Sequence, residues 1–322
     1  MTHGSLFSGI DSFGYGFAKS GIKTTWRVEI DRNCQGVLRR HYPNDLLLLD
    51  VRECGAHNLT RVDIISFGSP CQDLSQAGLR MGLKGDRSGL FFEGIRIISE
   101  LKPSFAVWEN VPHALTINNG RDFRNILCAF RECGARDIAW RTLNAQYLGV
   151  AQRRRRVFLV ADFRGECAAE VLFESDCCAW HPAAGQKARK KSSIANPRSF
   201  RGVSKYSHIE DNNIKSDVCY IFGGDVSHTL TSEGSDASED GTGRGVPLVF
   251  VSNQNTIRHL TPREIERLFA IPDDYTAFID DKPVSNTARY KMLGNSIVTT
   301  IPEWIGYRIY HIINNATIPG YS

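Results

Sequence analysis

Seven short runs rich in β-branched and aromatic residues alternate with amphipathic segments over the first half of the chain. This alternation restricts the fold more than any other feature. The runs are GSLF, TTWRVEI, DLLLL, VDIISF, SFAVW, DIAWRTL and RVFLVAD, the last ending near residue 163. Between them the apolar spacing predicts helices over 11–20 before Gly21, over 32–41 before Pro43, over 90–101 before Pro103 and over 123–133 before Gly134. Repeated strand–helix units predict a parallel, doubly wound α/β sheet with helices on both faces. In such sheets ligands bind outside the carboxyl ends of the strands, so the residues after each run carry the functional information.

After the first run comes FSGIDSFGYG, a small-residue turn opening a helix, whose backbone N–H groups can approach an anionic or carboxylate-bearing ligand. After the second come Glu29, Ile30 and Asp31, about 20 residues further on, where a carboxylate can accept from ribose hydroxyls. Asp50 takes the corresponding position after the third run. One carboxylate at a strand end is an ordinary helix cap; two beside a glycine turn favour a nucleoside-containing cofactor. The fourth run leads into GSPCQ with Cys71, and the fifth into Glu109, Asn110 and Val111. Neighbouring strands would bring this thiol and carboxylate to one sheet edge, an arrangement suited to joint chemistry. The segment Gln152-Arg153-Arg154-Arg155-Arg156 enters the seventh run. Read as a strand, it turns Gln152, Arg154 and Arg156 one way and Arg153 and Arg155 the other. Guanidinium groups beside Cys71 would favour its thiolate and could hold phosphate.

Bulk properties agree with this picture. The 39 Lys and Arg against 35 Asp and Glu in 322 residues permit nucleic acid as a partner without demanding it. No apolar run approaches the roughly 20 residues of a membrane span, and the amino terminus lacks a signal-like segment, so a cytoplasmic protein with no membrane partner is expected. Nine cysteines without framework spacing, with Cys177 and Cys178 adjacent, suggest neither a disulfide scaffold nor a metal site.

The ordered set FSGIDSFG, EID, LDV, GSPCQ, LFFEGIR, ENV, QRRRR, RHLTPREIERLFAIPDDY and YKMLGNSIV resembles the DNA (cytosine-5)-methyltransferase family, over nearly all of the chain except roughly residues 165 to 225. The resemblance implies a Rossmann-like methyltransferase sheet with a second, smaller target-recognition domain. It also implies transfer of a methyl group from S-adenosyl-L-methionine to C5 of a flipped-out cytosine in double-stranded DNA. Cys71 would be the covalent nucleophile at C6, and Glu109 would contact N3 and the exocyclic amine. Arg154 would contact the base or assist the thiolate, Arg156 would order the loop, and Gln72, Ser75 and Gln152 would meet the flipped strand. For the cofactor it implies Phe7, Ser8, Gly9 and Ile10 in the turn, Glu29 at the ribose, Ile30 against the adenine, and Asp50 with Val51 at the adenine edge. Pro70, Leu90, Asn295 and Ser296 would complete the pocket. Asp11 and Ser12 stand where the family usually carries glycines. Asp11 would cap the following helix or face the ammonium group, and it should repel the carboxylate, so Asp11→Gly is expected to be neutral or to tighten binding.

The catalytic domain is expected over residues 1–165 and 286–322, and the target-recognition domain over 166–285 with its variable part at 166–257. The variable part carries a basic run and a Gly, Ser and Asp-rich stretch, a composition closer to a flexible surface module than to a folded core. Lys187, Arg189, Lys190 and Lys191 are expected on phosphate; Arg198, Arg201, Arg244 and the surroundings of Thr229 are expected near base edges. RHLTPREIERLF predicts a helix with Thr261 as N-cap, Pro262 first inside and Glu264 closing a capping box. IPEWIGYRIYHIINNA predicts an amphipathic helix returning to the catalytic domain. A monomer is expected, with a cognate restriction enzyme as a possible partner. Competing readings are an RNA (tRNA) methyltransferase of the same architecture, a DNA-binding regulator and a thiol hydrolase. The hydrolase would need a histidine beside Cys71, and none of the nine stands at an adjacent strand end.

Overall fold

The computed structural model describes residues 1–69, 89–165, 167–173, 203–206, 219–222, 248–251 and 256–314, the short stretches from 203 to 257 as backbone only. Contacts divide the chain into two compact units. Met1–Leu143, Arg155–Cys177 and Thr299–Ser322 form the first, and Asn144–Arg154 with Cys178–Val298 the second.

The first unit is built on β1 (Thr2–Leu6), β2 (Lys23–Val28), β3 (Leu46–Leu48), β4 (Ile64–Phe67), β5 (Phe105–Asn110), β6 (Asp137–Asn144) and β7 (Arg155–Asp162). They form one sheet in the order β3-β2-β1-β4-β5-β7-β6. The order runs outward from β1 to β3 and then restarts with β4 on the other side of β1. This creates the crevice between β1 and β4 in which α/β sheets bind ligands. Pairing is parallel from β3 through β5, and β7 then runs antiparallel to β5, with Glu109 opposite Phe158 and Asn110 opposite Val157. The expectation of an all-parallel sheet is corrected at this point. Both β6 and β7 read as apolar runs, and with only the short turn of Ala145–Tyr147 between them no crossover helix carries the chain back to the starting edge.

Helices α1 (Ser12–Lys19), α2 (Arg32–His41), α3 (Leu90–Leu101) and α4 (Arg121–Glu132) fall where the apolar spacing places them. Asp11 caps α1 by accepting from Gly14 N, and Asp31 caps α2 by accepting from Asn33 N and Cys34 N. Arg39, Arg40 and His41 close α2 at the negative end of its dipole. Phe67, Phe91, Trp108 and Phe130 pack edge-on or tilted between sheet and helices, all fully buried. Burial of aromatic side chains of this size, worth about 1.5–3 kcal/mol each, anchors β4 and β5 side by side.

Two further helices complete this unit, α5 (Ala168–Leu172) and, near the carboxyl end, α8 (Thr300–Ile313). Helix α8 lies against α1 at two glycines: a Cβ at Gly16 would strike Thr299 and Pro302, and one at Gly306 would strike Phe17. The buried Arg308 of α8 donates to the carbonyls of Val171 (2.7 Å), Phe173 (2.7 Å) and Glu170, satisfying the end of α5. Residues 168–172, expected with the second domain, therefore stand in the first unit.

The second unit contains β8 (Val203–Tyr206), β9 (Cys219–Phe222), β10 (Leu248–Val251) and β11 (Thr256–His259), an antiparallel sheet ordered β11-β10-β9-β8. The expected flexible module is thus corrected to one that includes a four-stranded sheet. Strands of four residues place only two side chains on each face, too few for alternation to stand out in sequence. Helix α6 (Pro262–Leu268) begins with the expected capping box of Thr261 and Glu264, and helix α7 (Asn286–Gly294) follows the small ribbon of β12 (Phe278–Ile279) and β13 (Lys282–Pro283). The buried Glu266 accepts from Arg289 (2.9 Å), Thr276 N (2.9 Å) and Asp274 N (2.7 Å), and Tyr290 donates to Leu260 O at 2.7 Å. These bonds tie α7 to α6, so residues 286–298, expected with the first domain, belong to the second unit.

Candidate active site

At the carboxyl end of β1 the chain makes a tight turn in which Phe7, Gly9 and Asp11 all have positive φ (50°, 56° and 63°). The turn is fixed to the end of β2. Ser8 N donates to Val28 O (3.0 Å), the Ser8 hydroxyl donates to Ser5 O (3.0 Å) and Val28 O (3.2 Å), and Gly9 N donates to Glu29 Oε2 (2.6 Å). Glu29 also accepts from Asp31 N at 2.7 Å, and burial raises the pKa of its carboxyl above the usual range against the pull of these two N–H groups. Beside it Ile30 is 65% exposed, an uncovered apolar side chain at a strand end. Asp50 accepts from Arg52 N and pairs with the Arg52 guanidinium, which holds its carboxyl below the usual range. Val51 is buried, while Phe7 and Leu90 are partly buried against the core.

Two cofactor candidates point inward instead. Ile10 is 1% exposed and belongs to the core. Asp11 is fully buried; besides capping α1 it receives Arg27 Nε at 2.6 Å, so both of the roles expected at the ligand give way to an internal ion pair. Arg27 is itself buried, pairs with Asp45 at 2.5 Å and lies 3.6 Å from the Tyr42 ring centre. Sequence reasoning missed Arg27, whose place between the apolar Trp26 and Val28 was the available signal.

The chemical half of the site gathers at β4 and β5. Their parallel register sets Phe67 beside Trp108, so the next residues, Gly68 and Glu109, are neighbours, and a Cβ at Gly68 would come within 3.0 Å of Glu109 Oε2. Ser69, the last described residue before the GSPCQ cysteine, is gripped from β5. Trp108 Nε1 donates to Ser69 Oγ (3.2 Å) and Asn110 Nδ2 donates to Ser69 O (3.1 Å). Asn110 thus fastens Ser69 to the end of β5, and the ENV motif was its only trace in sequence. Pro70, Cys71, Gln72 and Ser75 lie outside the described residues, as do Lys187, Arg189, Lys190, Lys191, Arg198, Arg201, Thr229 and Arg244. Burial pushes the Cys54 and Cys133 thiols up to about 11, which makes these two poor nucleophiles.

Of the arginines entering β7, Arg156 reaches Glu109, with Nε 3.0 Å from Oε1 and both side chains largely sheltered. Arg154 is 1% exposed and donates to the carbonyls of Gly294 (2.8 Å) and Ser296 in the second unit, with its guanidinium over Phe269. β7 begins at Arg155; Arg154, just before it, is bonded to the turn after α7, and Arg156 lies beside the Glu109 carboxylate. The expected alternation is present in burial, with Gln152 and Arg154 buried and Arg153 and Arg155 exposed. Gln152 is wholly buried, however, which corrects its expected place on a DNA surface. Asn295 ends α7, donating from its backbone to Lys291 O at 3.2 Å, and Ser296 is buried.

A crevice at the β1/β4 switch point, with the buried Glu29 carboxylate at the end of β2 and the Glu109–Arg156 pair at the end of β5, places charged groups where α/β sheets bind ligands, and the sheet is that of the methyltransferase fold. The chain belongs to the C-5 cytosine-specific DNA methylase family, which matches residues 1–172 and 180–311. It is similar to the Type II methyltransferases M2.BsuMI of Bacillus subtilis (28% identical, covering 94% of this chain and 73% of the relative) and M.NgoPII of Neisseria gonorrhoeae (27%, covering 91% and 90%). The crystal structure of the S. pombe Dnmt2 methyltransferase shares the fold, with a TM-score of 0.64 at 16% identity over 98% of this chain and 99% of that one. The protein is a DNA cytosine-5 methyltransferase. Among the described residues no helix is long and apolar enough to cross a membrane.

Proposed function

We propose that the protein methylates C5 of a flipped-out cytosine within a specific duplex DNA sequence through a covalent bond between Cys71 Sγ and C6. The observation that carries this reading is the Glu109–Arg156 pair, at a strand end adjacent to the one that leads to Cys71. A stacked base hides C6, so the target leaves the duplex before reaction. Cys71, as thiolate, adds to C6, and Glu109 stabilises the charge that develops at N3 by sharing a proton there. Arg156 holds the Glu109 carboxyl group and can donate its remaining N–H groups to the base. S-adenosylmethionine, when bound, supplies the methyl group that C5 accepts. A base then removes the C5 proton, and the returning electron pair expels the Cys71 thiolate.

The crevice residues suit that cofactor. Carboxylate oxygens carry more lone pairs than the two N–H groups at Glu29 use, leaving acceptors for vicinal hydroxyls, and exposed Ile30 offers an apolar face to a base. Asp50, Val51, Phe7 and Leu90 complete the nucleoside end, with Asn295 and Ser296 assigned to the same ligand by the family motif. The segment 166–257 selects the target sequence. Lys187, Arg189, Lys190 and Lys191 neutralise phosphate, while Arg198, Arg201, Arg244 and the residues around Thr229 reach base edges. The protein acts as a monomer, and its Type II relatives make a cognate restriction enzyme the natural partner.

Incubation with cofactor and a duplex carrying 5-fluorocytosine at the target tests the reading, since fluorine cannot leave C5 as a proton does and the adduct persists. The expected result is a protein–DNA adduct that peptide mapping places on Cys71. Adducts with tRNA and none with duplex DNA would favour the RNA reading, and an adduct on another residue would overturn the mechanism.

A further inference from the structure

From the contacts below the cofactor turn we infer that the buried Asp11–Arg27 pair is a positioning device for S-adenosylmethionine, a clamp that replaces the freedom of a glycine with an ionic lock. The inference rests on the assignment of the crevice to that cofactor.

Three consecutive residues at the end of β2 each take hold of the turn. Arg27 Nε donates to Asp11 (2.6 Å), Val28 exchanges backbone and hydroxyl bonds with Ser8 (3.0–3.2 Å), and Glu29 accepts from Gly9 N (2.6 Å). Strand alternation places residues 27 and 29 on one face, so the two side-chain rungs act in the same direction, one on each side of Ile10. The ionic rung is anchored from behind, because Arg27 also pairs with Asp45 (2.5 Å) and stacks on Tyr42.

Asp11 pays twice for its place. Its left-handed backbone (φ 63°, ψ 43°) suits glycine better, and its carboxylate is wholly removed from water. A residue held there against both costs acts through what it binds. Gly14 makes room for it, since a Cβ there would collide with the Asp11 carboxylate. With the clamp closed, Gly9 N is presented to Glu29 in one geometry, and Glu29 meets the ribose already oriented. Preorganisation of this kind raises affinity by sparing the ordering cost on binding.

The test is calorimetric titration of the full chain with S-adenosylmethionine, without DNA and below the melting temperature of every variant. Asp11→Asn keeps the shape and the cap but loses the charge, and should bind the cofactor about tenfold more weakly with unchanged affinity for DNA. The double variant Asp11→Gly/Arg27→Leu removes both charges, so it should regain thermal stability while its cofactor affinity stays low. Wild-type affinity in both variants, whatever their melting temperatures, would make the pair purely structural and overturn the inference. Should Asp11→Asn fail to fold, the double variant decides alone, weak binding supporting the clamp and wild-type binding refuting it. Glu29→Ala separates the two levels: if it binds as tightly as wild type, the cofactor assignment itself fails, whereas loss there with no loss at Asp11 sinks only the clamp.

Discussion

Replacing Arg154 by methionine distinguishes the role the structure gives this residue from the one its motif suggests. Arg154 is 1% exposed and supplies charged donors to the carbonyls of Gly294 and Ser296 in the turn that ends α7. Each carbonyl left buried without its donor costs about 1–3 kcal/mol. Methionine fills much of the volume over Phe269 and spares the desolvation of a guanidinium, which offsets part of that loss. The net expectation is about 2–4 kcal/mol of destabilisation, or a melting temperature lower by about 5–10 °C. Differential scanning calorimetry measures the shift, and methyl-transfer rates taken well below both transitions measure the chemistry. A variant that melts with wild type yet has lost turnover would return Arg154 to the reacting groups and refute the reasoning.

The complementary change, Arg156→Met, leaves the largely sheltered Glu109 carboxylate without this partner; it should lower turnover by about 10²-fold even well below its own melting temperature, and paired kinetic and thermal measurements separate that loss from the accompanying fall in stability. His3 is buried between the Thr24 and Ser66 hydroxyls (2.9 and 2.8 Å), and burial, with Arg27 adding to it, pushes its pKa down to about 3. A histidine with a depressed folded-state pKa contributes stability that is full above its ordinary value near 6.5 and declines as pH falls toward 3. Wild type should therefore lose about 2 kcal/mol more than His3→Gln between about pH 7.5 and about pH 5 in chemical denaturation, and parallel losses would exclude the histidine. Grafting residues 166–257 onto a relative of different specificity should carry the target sequence with them, as bisulfite sequencing would report; an active chimera that keeps the recipient's target places recognition elsewhere.

Much of the first unit was legible because its elements obey local rules. Helices α2 and α3 begin and end at the residues where caps, Gly and Pro place them, and the α6 capping box follows directly from Thr261, Pro262 and Glu264. What escaped depends on the path of the chain through space. The reversal of β7 follows from the absence of a crossover, which strand composition does not encode. That Arg156 meets Glu109 while Arg154 meets the turn after α7 depends on where β7 begins, a difference of one residue in a run of four arginines. Arg27 was hidden because an arginine within a strand reads as an exposed edge until Asp11, Asp45 and Tyr42 are seen around it. The strands of the second unit are too short to declare a period.

The central claim is tested most directly by transfer of a labelled methyl group from S-adenosylmethionine to duplex DNA by wild type, Cys71→Ser and Cys71→Ala. Wild type should place the label on cytosine C5. Cys71→Ser should bind the same DNA with little turnover, because a hydroxyl is a far poorer nucleophile at neutral pH, and Cys71→Ala should transfer none. Methylation by Cys71→Ala at a rate near that of wild type would contradict the account.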